Sequence, residues 1–181
     1  KDIQSVVVIG ANIGNEVYDI RKSYPNTSFI MFEPSPKFFP ELLRLHGKKT
    51  YVKCHQKACG DYCGKTAFYE LPMMGNGSFL KPTTDWKIFN KQEDDSITEY
   101  TVDVTTLDSE IPKNSKTDLL WVDVQGAELH VLKGARETLK NTKAVFLEVA
   151  LCKSPYHEGA LIRELNEVMI QTGHQLVLLG L

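Results

Sequence analysis

Long apolar runs are missing from this sequence. The longest stretches, such as Val6-Val7-Val8-Ile9, are far too short to span a bilayer. No secretory signal pattern is visible at the start. Cysteine is scarce: Cys54, Cys59, Cys63 and Cys152 are too few for a disulfide scaffold. Three of them lie close together, which raises the question of zinc. However, Gly60-Asp61-Tyr62 separates Cys59 from Cys63, and His46 and His55 lie upstream without forming a second pair at the usual spacing. Ordinary reduced thiols, no metal site and a cytoplasmic setting are the expectation. An excess of one charge sign is also lacking. Lys and Arg number 21 against 23 Asp and Glu, a net charge of -2. A general nucleic-acid binder needs surplus cations to neutralise phosphates, so that class is disfavoured. Repeats and low-complexity tracts are absent. Position 1 is lysine rather than methionine, and a longer precursor is expected.

What is present is an ordinary globular composition. The 181 residues are 42% apolar and 24% charged, enough for one domain over 1–181 with its own core. Two kinds of segment alternate. Ser5 to Ala11 is a β-branched run, and Asn15 to Ser23 follows with a helical period in Val17, Ile20 and Tyr24. Ser28 to Glu33 is strand-like. Ser35-Pro36 opens the next helix, serine as cap and proline in the first turn, with Phe38, Phe39, Leu42, Leu43 and Leu45 on its apolar side and Gly47 as its stop. Tyr51 to Cys59 reads as a third strand. Leu119 to Val124 and Ala144 to Ala150 are near-continuous apolar runs, the pattern of strands covered on both faces. Ala127 to Leu139 and Glu158 to Gln171 read as helices, and His174 to Leu179 as a last strand. This alternation predicts an α/β fold: a three-layer, Rossmann-like, mostly parallel sheet. Residues 61–117 interrupt it. Lys65 to Leu71 and Glu99 to Val104 alternate as strands, so the segment is expected to be a hairpin insertion with a long surface connection.

Gly10-Ala11-Asn12-Ile13-Gly14 closes the first strand and opens the first helix. Glycines there allow a sharp turn and close approach of a ligand, and a helix N-terminus suits a carboxylate or phosphate. Glu33 ends the second strand about twenty residues on, where an acid can accept both ribose hydroxyls. The plainer alternatives are a tight turn, a surface acid, and a simple helix start at Pro34-Ser35-Pro36. Taken together, the order strand, turn, helix, strand favours an adenosine-type ligand. Asn12 stands where a dinucleotide site wants its second glycine, so S-adenosylmethionine fits better than a nicotinamide cofactor.

Asp123-Val124-Gln125-Gly126 follows a covered strand and so falls on the same rim of the sheet. A carboxylate there can orient an acceptor hydroxyl and take its proton, or join a metal; alternatively Asp123 caps the next helix. Glu128 reads as a first-turn acid favoured by the helix dipole. Glu148 lies in an apolar run, where a buried carboxylate must be poised for chemistry or paired with Lys or Arg.

Val-Val-Ile-Gly-Ala-Asn-Ile-Gly at 7–14, Phe-Glu-Pro-Ser-Pro at 32–36, Lys-Ala-Cys-Gly-Asp at 57–61, Thr-Leu-Asp at 106–108, Asp-Val-Gln-Gly-Ala-Glu-Leu-His-Val-Leu-Lys-Gly-Ala at 123–135 and Tyr-His-Glu-Gly at 156–159 resemble the FkbM-type methyltransferases, in order and over most of the chain. The resemblance implies a class I S-adenosylmethionine fold and O-methylation of a hydroxyl on a glycan, sugar or small natural product. It implies Gly10, Asn12 and Gly14 around the amino-acid end of the cofactor, Glu33 at the ribose, and Ala58 with Cys59 at the adenine edge. Ala11, Asn15, Pro34 and Asp123 complete the cofactor set, and Asp123, Gln125 and Glu148 form the catalytic set. Three positions depart from the family pattern. Val8 and Gln125 stand where the family usually has Asp and Glu, and the chain stops at Leu181, before the reversed last strand of such folds. A non-catalytic methyltransferase-like binding module is therefore the alternative function, and a nicotinamide oxidoreductase a third.

Overall fold

The computed structural model describes residues 2–72, 75–84 and 96–177. Five parallel strands form the main sheet: β1 (Ser5–Ile9), β2 (Ser28–Phe32), β3 (Val52–His55), β7 (Thr117–Val122) and β8 (Thr142–Leu147), in the spatial order β3-β2-β1-β7-β8. Val6 and Val8 face one side with Phe29 and Met31, and Val7 and Ile9 the other, as a period of two requires. Helices α1 (Asn15–Ser23) and α2 (Phe39–His46) follow β1 and β2. Val17 and Leu42 seal the first side. Three later helices supply the second layer: α4 (Glu128–Lys133), α5 (Arg136–Lys140) and α6 (Ile162–Gln171). From them Val131, Leu132, Leu139, Leu165 and Met169 pack on Val7, Ile9, Leu120 and Val122. Fully buried side chains of this size each contribute about 1.5–3 kcal/mol. The expected three layers are present.

A second sheet, β4-β6-β5, is built from β4 (Ala58–Cys59), β5 (Gly64–Glu70) and β6 (Thr98–Thr105). The expected hairpin is there, since β5 and β6 pair antiparallel from Gly64↔Val104 to Glu70↔Thr98. It also recruits β4 in parallel. The single strand expected over Tyr51–Cys59 is therefore two strands in two sheets, parted at Gln56-Lys57. Helix α3 (Leu107–Glu110) leads back toward β7, burying Leu107.

Four further expectations need correction. The helix expected over Ala127–Leu139 breaks at Gly134-Ala135, where the backbone packs so closely on Gly60 that a side chain at 134 would overlap the Gly60 carbonyl. Helix α6 begins at Ile162, not Glu158; Glu158 has φ +60°, which no helix accommodates. His174–Val177 form no strand, and the rest of that expected strand lies outside the described residues. Strand β8 is covered on one face only: Ala144 is exposed and Phe146, stacked on Trp121, is 46% exposed. Among the described residues no helix is long and apolar enough to cross a membrane.

The chain runs outward from β1 to β3 and then returns to β7 on the other side of β1. That reversal is the topological switch point, and ligands of open α/β sheets bind beyond the carboxyl ends of the strands there. The residues just past β1 and β7 are Gly10 and Asp123.

Candidate active site

The two loops at the switch point touch. Asp123 N–H donates to the Ile9 carbonyl at 3.0 Å. Gly10 has φ +79°, and a Cβ there would lie 1.8 Å from the Asp123 carbonyl oxygen. Glycine is thus required twice over, by backbone sign and by space. Gly14 also has positive φ, but its missing side chain leaves room for His46 and Leu42 of α2, not for a ligand. His46 is fully buried; its Nε2 is 3.1 Å from the Ile13 carbonyl and its Nδ1 3.0 Å from Lys49 Nζ. Burial first, and Lys49 next, lower its pKa, so the neutral ring braces the turn.

A pocket of about 500 Å³, its open mouth included, lies over this crossing. Gly10, Asn12, Glu33, Pro34, Ala58, Cys59 and Asp123 line it, as does Phe68 of the small sheet. Seven of the ten residues expected around a cofactor are therefore brought together. The other three are not among the lining residues. Ala11 is buried in the core beside α1 and α2, Gly14 faces α2, and Asn15 is exposed at the start of α1.

Glu33 has a structural role that its position alone does not reveal. It is 5% exposed, and each oxygen holds a loop: Oε2 accepts the Asn12 N–H at 2.7 Å, and Oε1 the Ser35 N–H at 2.8 Å. Burial drives its pKa up to about 7, against the lowering effect of those two bonds. The surface-acid alternative is removed.

Among the described residues, three buried side-chain oxygens have no hydrogen-bond partner: Asn12 Oδ1, Glu16 Oε2 and Glu70 Oε1. Asn12 and Glu70 line the pocket. Glu16 lies in the first turn of α1, near enough to Asp123 for that charge to join burial in raising its pKa. Unpartnered buried acceptors are costly. Being acceptors, they suit a ligand rich in N–H and O–H donors.

At the other rim, Gln125 bridges two carboxylates. Its Nε2 donates to Asp123 Oδ1 at 2.9 Å and to Glu148 Oε2 at 2.7 Å. The Tyr156 hydroxyl, 3.2 Å from Gln125 Oε1, can complete the amide's bonding. Asp123 does not cap α4, which starts at Glu128 behind Ala127 with no side-chain cap. Glu148 stands just past the end of β8 and is exposed as a residue, not buried within a strand. Its carboxyl end sits beside Asp123, and desolvation, then Asp123, push its pKa up to about 8. Glu128 is more than a first-turn acid. It is 3% exposed and its Oε1 accepts the N–H groups of Val124 and Gly126, fixing the turn in which Gln125 adopts φ +55°. Burial drives its pKa up to about 7. The four cysteines are free, and the described residues contain no group of three or more His, Cys, Asp or Glu arranged to hold a metal.

The fold and the rim thus define a Rossmann-like domain with an acidic, donor-seeking pocket at its switch point. The chain belongs to the methyltransferase FkbM domain family, whose model matches residues 9–176. It is similar to the 2-O-methyltransferase NoeI of Sinorhizobium fredii (strain NBRC 101917 / NGR234), 27% identical over 170 residues that cover 86% of this chain and 66% of that protein. It is also similar to Methyltransferase 1 of Beauveria bassiana (strain ARSEF 2860), 30% identical over 147 residues, 74% of this chain and 59% of that one. The chain thus spans about three-fifths to two-thirds of the length of these curated relatives. Among solved structures, it is similar to the StiE O-MT residues 961-1257, at 10% identity and a TM-score of 0.48, over 94% of this chain and 45% of that one.

Proposed function

We propose that this domain binds S-adenosylmethionine at the Gly10–Glu33 rim and methylates a hydroxyl of a sugar or small natural product held at the Asp123–Glu148 rim. The observation that carries this reading is the set of unpartnered acceptors at and beside the pocket. The ammonium and ribose hydroxyls of S-adenosylmethionine are donors, and Asn12 Oδ1, Glu16 Oε2 and Glu70 Oε1 are acceptors without partners. A pyrophosphate offers acceptors instead, and sits badly against this acidic wall. Val8 is fully buried among Val6, Val17 and Met31, where a charge would be costly. Glu16, in the first turn of α1, supplies a carboxyl group for the cofactor's amine in its place. The N–H groups opening α1 suit its carboxylate.

When bound, the cofactor supplies an electrophilic methyl group on a sulfonium that leaves as a neutral thioether, so no acid is needed on the sulfur side. What the chain must supply is an aligned acceptor oxygen and a base. Asp123 orients the hydroxyl and takes its proton as the O–C bond forms. Glu148 keeps its own proton near neutral pH, so Asp123 does not face a second full charge. Gln125 holds the two side chains in register.

Calorimetry with S-adenosylhomocysteine and with NAD tests the cofactor. Binding of the first and not the second is expected, and the reverse overturns the reading. Transfer of labelled methyl to a panel of polyhydroxylated acceptors then tests the activity. Tight cofactor binding without transfer to any acceptor would favour the non-catalytic module suggested by Val8 and Gln125.

A further inference from the structure

Glu70 is one of the unpartnered acceptors, and its place in the fold points to a particular partner. It closes β5, on the face of the strand that carries Phe68 inward, at a position where an alternating pattern calls for an apolar side chain. It is 4% exposed. Its Oε2 accepts the Ser35 hydroxyl at 2.6 Å, while Oε1 is buried without a partner. Its carboxyl group lines the same pocket as Glu33, and Ser35 joins the two: the serine N–H goes to Glu33 and its hydroxyl to Glu70. Glu33 already serves a backbone N–H on each oxygen, whereas Glu70 has a whole oxygen uncommitted. A vicinal diol presents two O–H donors side by side, and two carboxyl groups joined through one serine present the matching acceptors.

We propose that Glu70 is a second carboxyl contact for the ribose of the cofactor, delivered by the inserted hairpin and paired with Glu33 through Ser35. The proposal rests on the S-adenosylmethionine reading above. It gives the insertion a part in cofactor binding in addition to any part in acceptor choice. It also explains why a carboxyl group is kept at a core position where burial raises its pKa and weakens the ligand-free fold.

The test is calorimetric titration of wild type, Glu70→Ala and Glu70→Gln with S-adenosylhomocysteine and with its 2′-deoxy and 3′-deoxy analogues. Glu70→Ala should bind S-adenosylhomocysteine roughly tenfold to a hundredfold more weakly, the loss expected for one bond to a charged group. It should lose little toward the analogue that lacks the hydroxyl Glu70 holds. Glu70→Gln keeps the shape, should show a smaller loss with the same selectivity, and should melt no lower than wild type without ligand. If the alanine variant does not fold, the glutamine variant carries the same comparison. Unchanged affinity, or one factor of loss across all three ligands, overturns the role of Glu70 while leaving cofactor binding standing. Failure of the wild type to bind S-adenosylhomocysteine overturns the cofactor reading and this one with it.

Discussion

The two rims of the site hold carboxyl groups with the same direction of pKa shift and opposite construction. Glu33 is buried and fastened by two backbone N–H groups, so it is part of the loop architecture before any ligand arrives. Glu148 is exposed as a residue, and its carboxyl group is held by one side-chain amide and crowded by Asp123. A group whose bonds are to the backbone can bind but not easily move. A group held by a neighbouring side chain can exchange a proton and adjust to a substrate. On the proposed function, the cofactor rim is therefore preorganised and the acceptor rim responsive.

The largest expected effect falls on the acceptor rim alone. Asp123→Asn keeps the shape and can still orient a hydroxyl, but an amide cannot take its proton. Turnover of an acceptor should fall about 10²–10⁴-fold, the usual cost of losing a general base. S-adenosylhomocysteine affinity should change little. A loss of only a few-fold would shift the base to Glu148; collapse of cofactor binding would place Asp123 at the methionine end.

Gly10→Ala strikes where the two rims meet. The added methyl overlaps the Asp123 carbonyl, in a backbone conformation that disfavours any side chain. Destabilisation of at least about 3 kcal/mol is expected, read as a fall of roughly 6–12 °C in melting temperature. Glu33→Gln is milder. Its amide keeps one acceptor oxygen and must turn a donor toward the N–H of Asn12 or Ser35. The cost is about 1–3 kcal/mol of stability, together with weaker S-adenosylhomocysteine binding.

What the sequence showed and what it hid divide along the same line. The rim positions Gly10, Asn12, Glu33 and Asp123 were legible because each follows a strand with a clear apolar run. Glu70 and Glu128 were hidden because their roles depend on direction. An acid on an alternating strand, or in the first turn of a helix, shows inward only once the partner sheet or the Val124–Gly126 turn is in place. Glu148 reaches the site from just past the end of β8 rather than from within a buried strand, and its partner is an amide rather than a cation. The split of Tyr51–Cys59 was invisible because β4 pairs with β6, more than forty residues away. The helix break at Gly134 depends on a contact with Gly60 that no local pattern encodes.

Stability should also fall as pH rises, which separates this acid-rich site from a site of salt-bridged carboxylates. The folded protein holds Glu33 and Glu128 with pKa near 7, while the unfolded chain ionises them near 4.5. The folded state therefore binds more protons between those values, and stability is lost as pH passes upward through about 7. From pH 6 to pH 9 the loss should be about 1 kcal/mol for each group. Thermal melts across that range check the sign; a rise with pH would mean that both groups are ionised and paired in the fold.

The smallest effect sharpens the comparison most, because it alters the amide and neither of the carboxyl groups it holds. Gln125→Glu restores the acid that the FkbM pattern usually carries. The amide donates two bonds, to Asp123 and to Glu148. A protonated glutamic acid donates one, and an ionised one donates none while adding a third negative charge. The φ of +55° is unfavourable for both residues and cancels. At pH 5.5, where the new side chain can keep its proton among its neighbours, the variant should lose only about one net hydrogen bond, 0.5–1.5 kcal/mol. Toward pH 8.5 repulsion grows and its melting temperature should fall progressively further below that of wild type. S-adenosylhomocysteine affinity should stay level at pH 5.5, since Gln125 does not line the cofactor pocket. A constant gap across the whole pH range would show that Gln125 is not what keeps Asp123 and Glu148 together, and the acceptor rim would then owe its shape to the backbone, as the cofactor rim does.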